Sequence, residues 1–340
     1  MSTASTNASK AGSLSEANLT TRPLGDSNLH LTRIGFGAWA TGGGNWEFAW
    51  GAQDDNESVR TIEHALDLGI NWIDTAAIYG LGHSEEIVAK ALKHVVKKPY
   101  VFTKCSMRWT EDRQIYRSLK PGSIQEEIEA SLRRLRVDTI DLYQIHWPNP
   151  DDEIEEGWEA MAKLQQQGKV RYLGVSNFNV DQIKRVQKIA PVTSLQPPYS
   201  LLNRSVEAEI LPYCLAQNIG VINYSPMASG LLSGKMTAKR IQQMPQDDWR
   251  KRSPNFNEPK LSQNLKLVER LKEIGQEYGV EPGAVAVAWT LQNPAITAAI
   301  VGARRPDQVD GTLAAAALVL KREEIAKIGE FINTTQGARQ

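Results

Sequence analysis

Asp74-Thr-Ala-Ala-Ile-Tyr79 sets a tyrosine five residues after an aspartate, at the end of an apolar, strand-like run. Lys104 closes the next such run and His146 the one after it. Helical sequence separates the runs, so if they are parallel neighbours in one sheet their carboxyl ends bring all four ionisable groups together. A lysine beside a tyrosine stabilises tyrosinate and makes a phenol of free pKa about 10 a better acid near neutrality. A carbonyl that accepts hydride and a proton together needs such an acid. An ammonium kept from water would itself need a carboxylate, and Asp74 is at hand.

Taken singly, none of these residues is diagnostic. An aspartate at a strand end more often caps a loop or helix. Tyr79 alone reads as a rim residue, Lys104 as a surface lysine, and His146, ahead of Trp147-Pro148, as a packed histidine. Their joint placement at strand ends is what points to chemistry.

The elements that must position them alternate strand and helix. The first strand is Arg33-Ile34-Gly35-Phe36, followed by strands over 70–74, 100–104, 140–146, 170–176, 194–196, 219–224 and 298–301. Helices are expected between them. One is capped by Asp55 or Asn56 and shows Val59, Ile62 and Leu66 on one face; a second is capped by Ser84; a third begins with a Ser123-x-x-Glu126 capping box. Further helices are expected over 153–167, 180–189, 206–217, 264–278 and 282–292, after Pro306 and after Lys321, with a long polar stretch over 225–261. Eight strands with helical crossovers and no break in composition favour an α/β fold closed as a (β/α)8 TIM barrel over an open doubly wound sheet. Residues 22–31, turning at Gly25-Asp26-Ser27-Asn28, read as an N-terminal β-hairpin that could close the barrel's bottom, and the series ends in C-terminal helices. Residues 1–20, rich in Ser, Ala, Asn and Thr, read as a disordered tail, and residues 21–335 as one barrel domain.

Composition narrows the function classes. The 340 residues hold 39 basic and 39 acidic side chains, so no global field points to nucleic acid or an anionic membrane. No apolar run approaches the roughly 20 residues of a membrane span. Two cysteines, Cys105 and Cys214, imply no disulfide framework and fit a reducing, cytoplasmic setting. Cys105 follows Lys104 directly, but strand alternation turns it away, so a buried, inert thiol is expected. His30, His64, His83, His94 and His146 are scattered without metal-ligand spacing, so no metal is expected. The partners expected are a small-molecule carbonyl substrate, with no nucleic acid and no membrane, and a monomer or weak oligomer.

Three longer motifs carry a family resemblance. Residues 69–80, Gly-Ile-Asn-Trp-Ile-Asp-Thr-Ala-Ala-Ile-Tyr-Gly, are similar to the first signature of the aldo-keto reductases. Gly174-Val-Ser-Asn-Phe178 resembles the second, and residues 224–235 resemble the family's cofactor loop. The likeness runs from about Arg22 to the C-terminal helices and looks closest to bacterial members with a Gly302-Ala303-Arg304 type of cofactor motif.

The resemblance implies a reductase of aldehydes and ketones with a catalytic tetrad of Asp74, Tyr79, Lys104 and His146. Tyr79 would protonate the carbonyl oxygen, Lys104 would lower its pKa, Asp74 would hold Lys104, and His146 would orient the carbonyl. No Gly-x-Gly-x-x-Gly follows a strand, and Gly42-Gly43-Gly44 does not fit that pattern, so the nicotinamide cofactor rests on the resemblance. By it, Gly37, Ala38, Trp39 and Asp74 border the cofactor, Ser176, Asn177 and Gln196 bind the carboxamide, and Tyr224 stacks on the ring. Ser225, Met227, Leu232, Gly234 and Lys235 hold the pyrophosphate, and Gly302, Arg304 and Gln308 the adenosine end. Arg304 suggests NADP(H), since a guanidinium binds a 2′-phosphate bidentately. Gly311-Thr312 stands where many relatives carry Glu-Asn for adenine. Loop aromatics Trp39, Trp46, Phe48, Trp50, Trp109 and Trp147 are the candidate walls for an apolar or aromatic substrate, while Trp72, Trp158 and Trp289 lie on regular elements and read as core. A cofactor-binding sensor on the same barrel, or a phosphate-substrate isomerase barrel, is the rival reading.

Overall fold

The structure is a computed structural model and describes residues 19–337; most of the expected tail lies outside the described residues. The chain opens with the anticipated hairpin, β1 (Thr21–Pro23) paired antiparallel with β2 (His30–Thr32). Eight parallel strands then close on themselves. They are β3 (Ile34–Gly37), β4 (Trp72–Asp74), β5 (Tyr100–Cys105), then, after a small excursion, β8 (Ile140–Ile145), β9 (Val170–Ser176), β10 (Ser194–Gln196), β11 (Gly220–Asn223) and β12 (Ile296–Gly302). The ring closes where β12 pairs with β3, Val301 opposite Phe36. The excursion is a hairpin the sequence reading did not anticipate, β6 (Met107–Trp109) against β7 (Ile115–Arg117).

Strand alternation divides the core in two. Outward-facing Ile73, Val101, Tyr143 and Ile145 pack with the stripes of the surrounding helices, including Ile62, Val88 and Ile128. Inward-facing Trp72, Phe102, Leu142, Ile222, Ala298 and Ile300 fill the lower barrel, and Leu24, Leu29 and Leu31 from the hairpin seal it from below. The indole of Trp72 occupies so much of this space that a Cβ on Gly35 would lie 2.0 Å from it. Its N–H donates to the Thr32 carbonyl at 3.0 Å, so the largest interior side chain is also hydrogen-bonded. Trp158 and Trp289, the other two tryptophans assigned to the core, are buried in the outer layer between strands and helices.

The surrounding helices begin with α1 (Asp55–Asp67), α2 (His83–Leu92) and α3 (Pro121–Leu135), and their caps differ from expectation. Asp54, one residue earlier than expected, caps α1 by accepting from Glu57 N at 2.7 Å. Ser84 does not cap α2. It is buried, and its hydroxyl donates instead to the Ala38 carbonyl at 2.8 Å, fixing the end of β3; left-handed Gly82 starts the helix. The expected capping box at Ser123 is absent because Pro121, with its φ fixed and no N–H to satisfy, already starts α3. Ser123 faces Glu127, and Glu126 pairs with Arg108 at 2.7 Å.

Beyond β8 come α4 (Ile154–Gln166), α5 (Val180–Gln187) and α6 (Ile210–Ala216), the last shorter than expected. The polar stretch after β11 is not structureless. It contains α7 (Ala238–Gln242) and several single turns, gathered around Leu231, Met236, Ile241, Met244, Phe256 and Leu261. Next are α8 (Lys260–Tyr278), which starts earlier than expected, and α9 (Pro282–Leu291); after β12 come α10 (Pro306–Leu313) and α11 (Arg322–Gly337).

Candidate active site

The upper layer of the barrel interior is polar. Asp74 ends β4, Lys104 lies in β5 in register with Gln144 of β8, and Gln196 ends β10. All four are buried. Lys104 Nζ donates to Asp74 Oδ2 at 2.6 Å and to the Thr75 carbonyl at 2.9 Å. The other carboxylate oxygen, Oδ1, accepts from Gln196 Nε2 at 2.8 Å and Gln144 Nε2 at 3.3 Å. Asp74 is thus satisfied on both oxygens by an ammonium and two amides, which is what a carboxylate this deep requires. Gln144 was not foreseen. Its signal was present, because alternation from inward-facing Leu142 puts it on the interior face.

Above this layer Lys104 Nζ reaches the Tyr79 hydroxyl at 3.4 Å. The rings of Tyr79 and His146 meet edge to face at 5.8 Å. The sequence-predicted tetrad therefore converges in space. One expectation is reversed. Burial, then the Asp74 carboxylate, pushes the Tyr79 phenol well above its ordinary value. The Lys104 ammonium 3.4 Å away does not outweigh these two effects. Burial lowers the Lys104 ammonium, with Asp74 and then Glu85 opposing. Burial, then Lys104 and Arg117, holds His146 well below the usual imidazole range, so it is neutral near pH 7. Cys105 faces away, as expected: its Sγ contacts the Gln144 carbonyl and Met161 Sδ, and burial raises its thiol.

Tyr79 and His146 lie on a cleft of about 730 Å³ that runs across the barrel mouth to β12 and α10. Of the expected cofactor residues, Gly37, Ala38, Trp39, Asp74, Asn177, Gln196, Tyr224, Ser225, Met227, Lys235, Gly302, Arg304 and Gln308 line it. Ser176, Leu232 and Gly234 stand behind the wall. Ser176 Oγ donates to the Gln196 carbonyl and accepts from Asn177 Nδ2 at 3.0 Å, while Leu232 is core. Asn177, at φ 63°, bonds the Tyr224 hydroxyl at 2.9 Å and so fixes that ring.

The cleft fits a long, anionic, ring-bearing group. Lys235, Arg240, Arg250, Arg304 and Arg305 line it against two carboxylates at that side, Glu281 and Asp307. Residues 225–234 hold Ser225, Ala228, Ser229, Gly230 and Gly234 at positive φ, the kind of turn geometry that makes concave backbone sites for anions. Gly283, in the first turn of α9, faces this loop so closely that a Cβ would lie 2.9 Å from Met227 Sδ.

Trp39, Trp46, Phe48, Trp50 and Trp147 also line the cleft, as expected of substrate walls. Trp109 does not; it packs behind Trp46, with the Arg134 guanidinium over its ring at 5.8 Å. Trp249 and Arg250 were missed. Trp249 stacks on Trp39 at 5.5 Å, and Arg250 lies 4.3 Å over the Trp50 ring. They fall in a stretch whose hydrophobic spacing has no period, so nothing in the sequence marked them.

The sequence model described as the Aldo/keto reductase family matches residues 33–333. The aldo-keto reductase YhdN of Bacillus subtilis is 39% identical over 315 residues, covering 92% of this chain and 93% of that one. The NADH-specific methylglyoxal reductase of Escherichia coli is 34% identical, covering 86% and 92%. The solved structure of a glycerol dehydrogenase from Gluconobacter oxydans superposes with a TM-score of 0.84 at 40% identity, covering 94% of this chain and 96% of that one.

Proposed function

The chain belongs to the aldo/keto reductase family, and from that premise we propose that it reduces aldehydes and ketones reversibly with NADP(H), Tyr79 giving the proton. The observation that carries the reading is the Asp74–Lys104–Tyr79 relay beside a neutral His146, all at one end of an anion-suited cleft. The nicotinamide, when bound, supplies hydride to the carbonyl carbon. Everything else falls to the chain.

Tyr79, protonated at neutral pH, donates its O–H to the carbonyl oxygen as negative charge develops there. Lys104, 3.4 Å away, then faces the tyrosinate and stabilises it. Asp74 keeps Lys104 charged in a buried position, and Gln144 and Gln196 keep Asp74 from turning. Neutral His146 offers the carbonyl a hydrogen bond without a competing charge. Asn177, Gln196 and Tyr224 suit the carboxamide and ring, the 225–235 loop suits the pyrophosphate, and the end of the cleft near Gly302 and Gln308 suits the adenosine.

NADP(H) is favoured over NAD(H) by the exposed guanidinium of Arg305 at that end of the cleft, although the Escherichia coli relative is named for NADH. The aromatic wall supports apolar and aromatic carbonyls. Two relatives are named for glycerol and methylglyoxal, which extends the expected range to three-carbon polyol and dicarbonyl substrates. The test is consumption of NADPH and of NADH by purified protein against a panel containing nitrobenzaldehyde and methylglyoxal, with glycerol for the reverse direction. Turnover of none of them with either cofactor sinks the reductase reading.

A further inference from the structure

Arg304 is engaged in an unexpected direction. Its Nε donates to Gln53 Oε1 at 2.6 Å, its Nη1 to the Trp50 carbonyl at 3.0 Å, and its Nη2 to the Ala52 carbonyl. Gln53 Nε2 returns a bond to the Arg304 carbonyl at 3.0 Å. All three guanidinium nitrogens address one loop. That loop carries Trp46, Phe48 and Trp50, and the Phe48 carbonyl accepts from Trp39 Nε1 at 3.1 Å. Trp46 and Trp39 in turn lie 6.4 and 6.0 Å from the Tyr79 ring. The far end of the cleft is therefore tied, through a short covalent segment, to the wall beside the proton donor.

Arg305 is the contrasting case. It is half-exposed, lines the same cleft, and its side chain is bonded to Asp307, two residues on, at 3.0 and 3.1 Å. An exposed pair of this kind is readily exchanged for a phosphate, whereas a phosphate reaching Arg304 competes with three fixed acceptors.

We propose that Arg304 is a positioning residue for the carbonyl pocket, holding the aromatic wall of residues 46–53, and that Arg305 meets the 2′-phosphate. The assignment to Arg305 rests on the nicotinamide reading above; the assignment to Arg304 does not. A planar fork reaching three acceptors explains why the position calls for arginine, since a lysine ammonium on a flexible stem does not reproduce it.

The experiment compares Arg304→Ala, Arg304→Lys and Arg305→Ala. Hydrogen exchange across residues 45–53 should quicken about tenfold or more in both Arg304 variants and stay unchanged in Arg305→Ala. With nitrobenzaldehyde, both Arg304 variants should raise KM about tenfold with kcat changed less than about twofold, the signature of lost binding rather than lost chemistry. By calorimetry, Arg305→Ala should cut the NADPH-to-NADH affinity ratio about tenfold, and Arg304→Ala should leave that ratio unchanged. A lowered ratio in Arg304→Ala that Arg304→Lys restores, with exchange of the loop unaltered, overturns the proposal. If the unaltered protein binds NADH as well as NADPH, the cofactor reading fails, and the exchange and KM arms still decide the role of Arg304.

Discussion

Lys104 and Asp74 meet at 2.6 Å with both side chains almost fully sealed from solvent. Such a pair holds its geometry only while both members are present, since either charge alone is costly in that position. The pair thus joins stability to catalysis: the carboxylate that keeps the barrel's interior neutral is the one that keeps the ammonium beside Tyr79.

Asp74→Asn should therefore destabilise the protein by about 3–5 kcal/mol, the usual result of orphaning one buried charge. Asp74→Asn combined with Lys104→Met should cost less than the single change. Guanidinium unfolding of the three proteins checks this, and a double variant no more stable than the single one would contradict the pairing.

Tyr79→Phe removes the hydroxyl and leaves the ring against Trp39 and His146. Turnover should fall by ~10²–10⁴-fold, the range for a lost general acid. NADPH affinity, measured calorimetrically, should stay within about twofold, because the ring stacking that shapes the cleft persists.

Glu127 of α3 is buried behind β5, where it accepts from Ser106 N at 3.3 Å. Burial raises its carboxyl from 4.5 to about 7. A raised carboxyl favours folding while protonated, so its contribution is complete below pH 4.5 and is lost as pH climbs through 7. That amounts to about 3 kcal/mol at most. Glu127→Gln should flatten the stability profile across this window, as read by denaturant midpoints at pH 5, 6, 7 and 8. An unchanged slope would place the titration elsewhere.

Gly35→Ala sets a methyl 2.0 Å from the Trp72 ring in a sealed interior, and overpacking of this kind costs about 1–3 kcal/mol or more. Gly311→Ala is the opposite case: nothing lies within 4 Å in α10, so it should stabilise by roughly 0.5–1 kcal/mol. Melting temperatures of the two variants should move in opposite directions.

The tetrad was legible because each of its strand-end members follows a run of apolar residues, and parallel strands align their ends. The barrel was legible for the same reason, repeated eight times. The direction of the Tyr79 shift was not, because it depends first on how deeply the phenol is buried and then on its nearness to the Asp74 carboxylate, neither of which residue spacing reveals. Ser84 kept the sequence look of a cap while serving a strand end 46 residues earlier. The Arg304 contacts join residues more than 250 apart, and no local pattern announces them. The order within residues 225–261 escaped notice because its apolar side chains serve single turns, which carry no period.

The hairpin stopper has a consequence for proton traffic. Beneath Lys104 the interior is largely apolar, filled by Trp72, Phe102, Leu142, Ile222 and Ala298 down to Leu24 and Leu29. The buried Ser194 hydroxyl on that interior face has no hydrogen-bond partner among the described residues, so it relays no proton to the floor. Each proton that Tyr79 gives up must be replaced from the rim side, through the same opening that admits the reactants, so recharging the acid waits on what occupies that doorway.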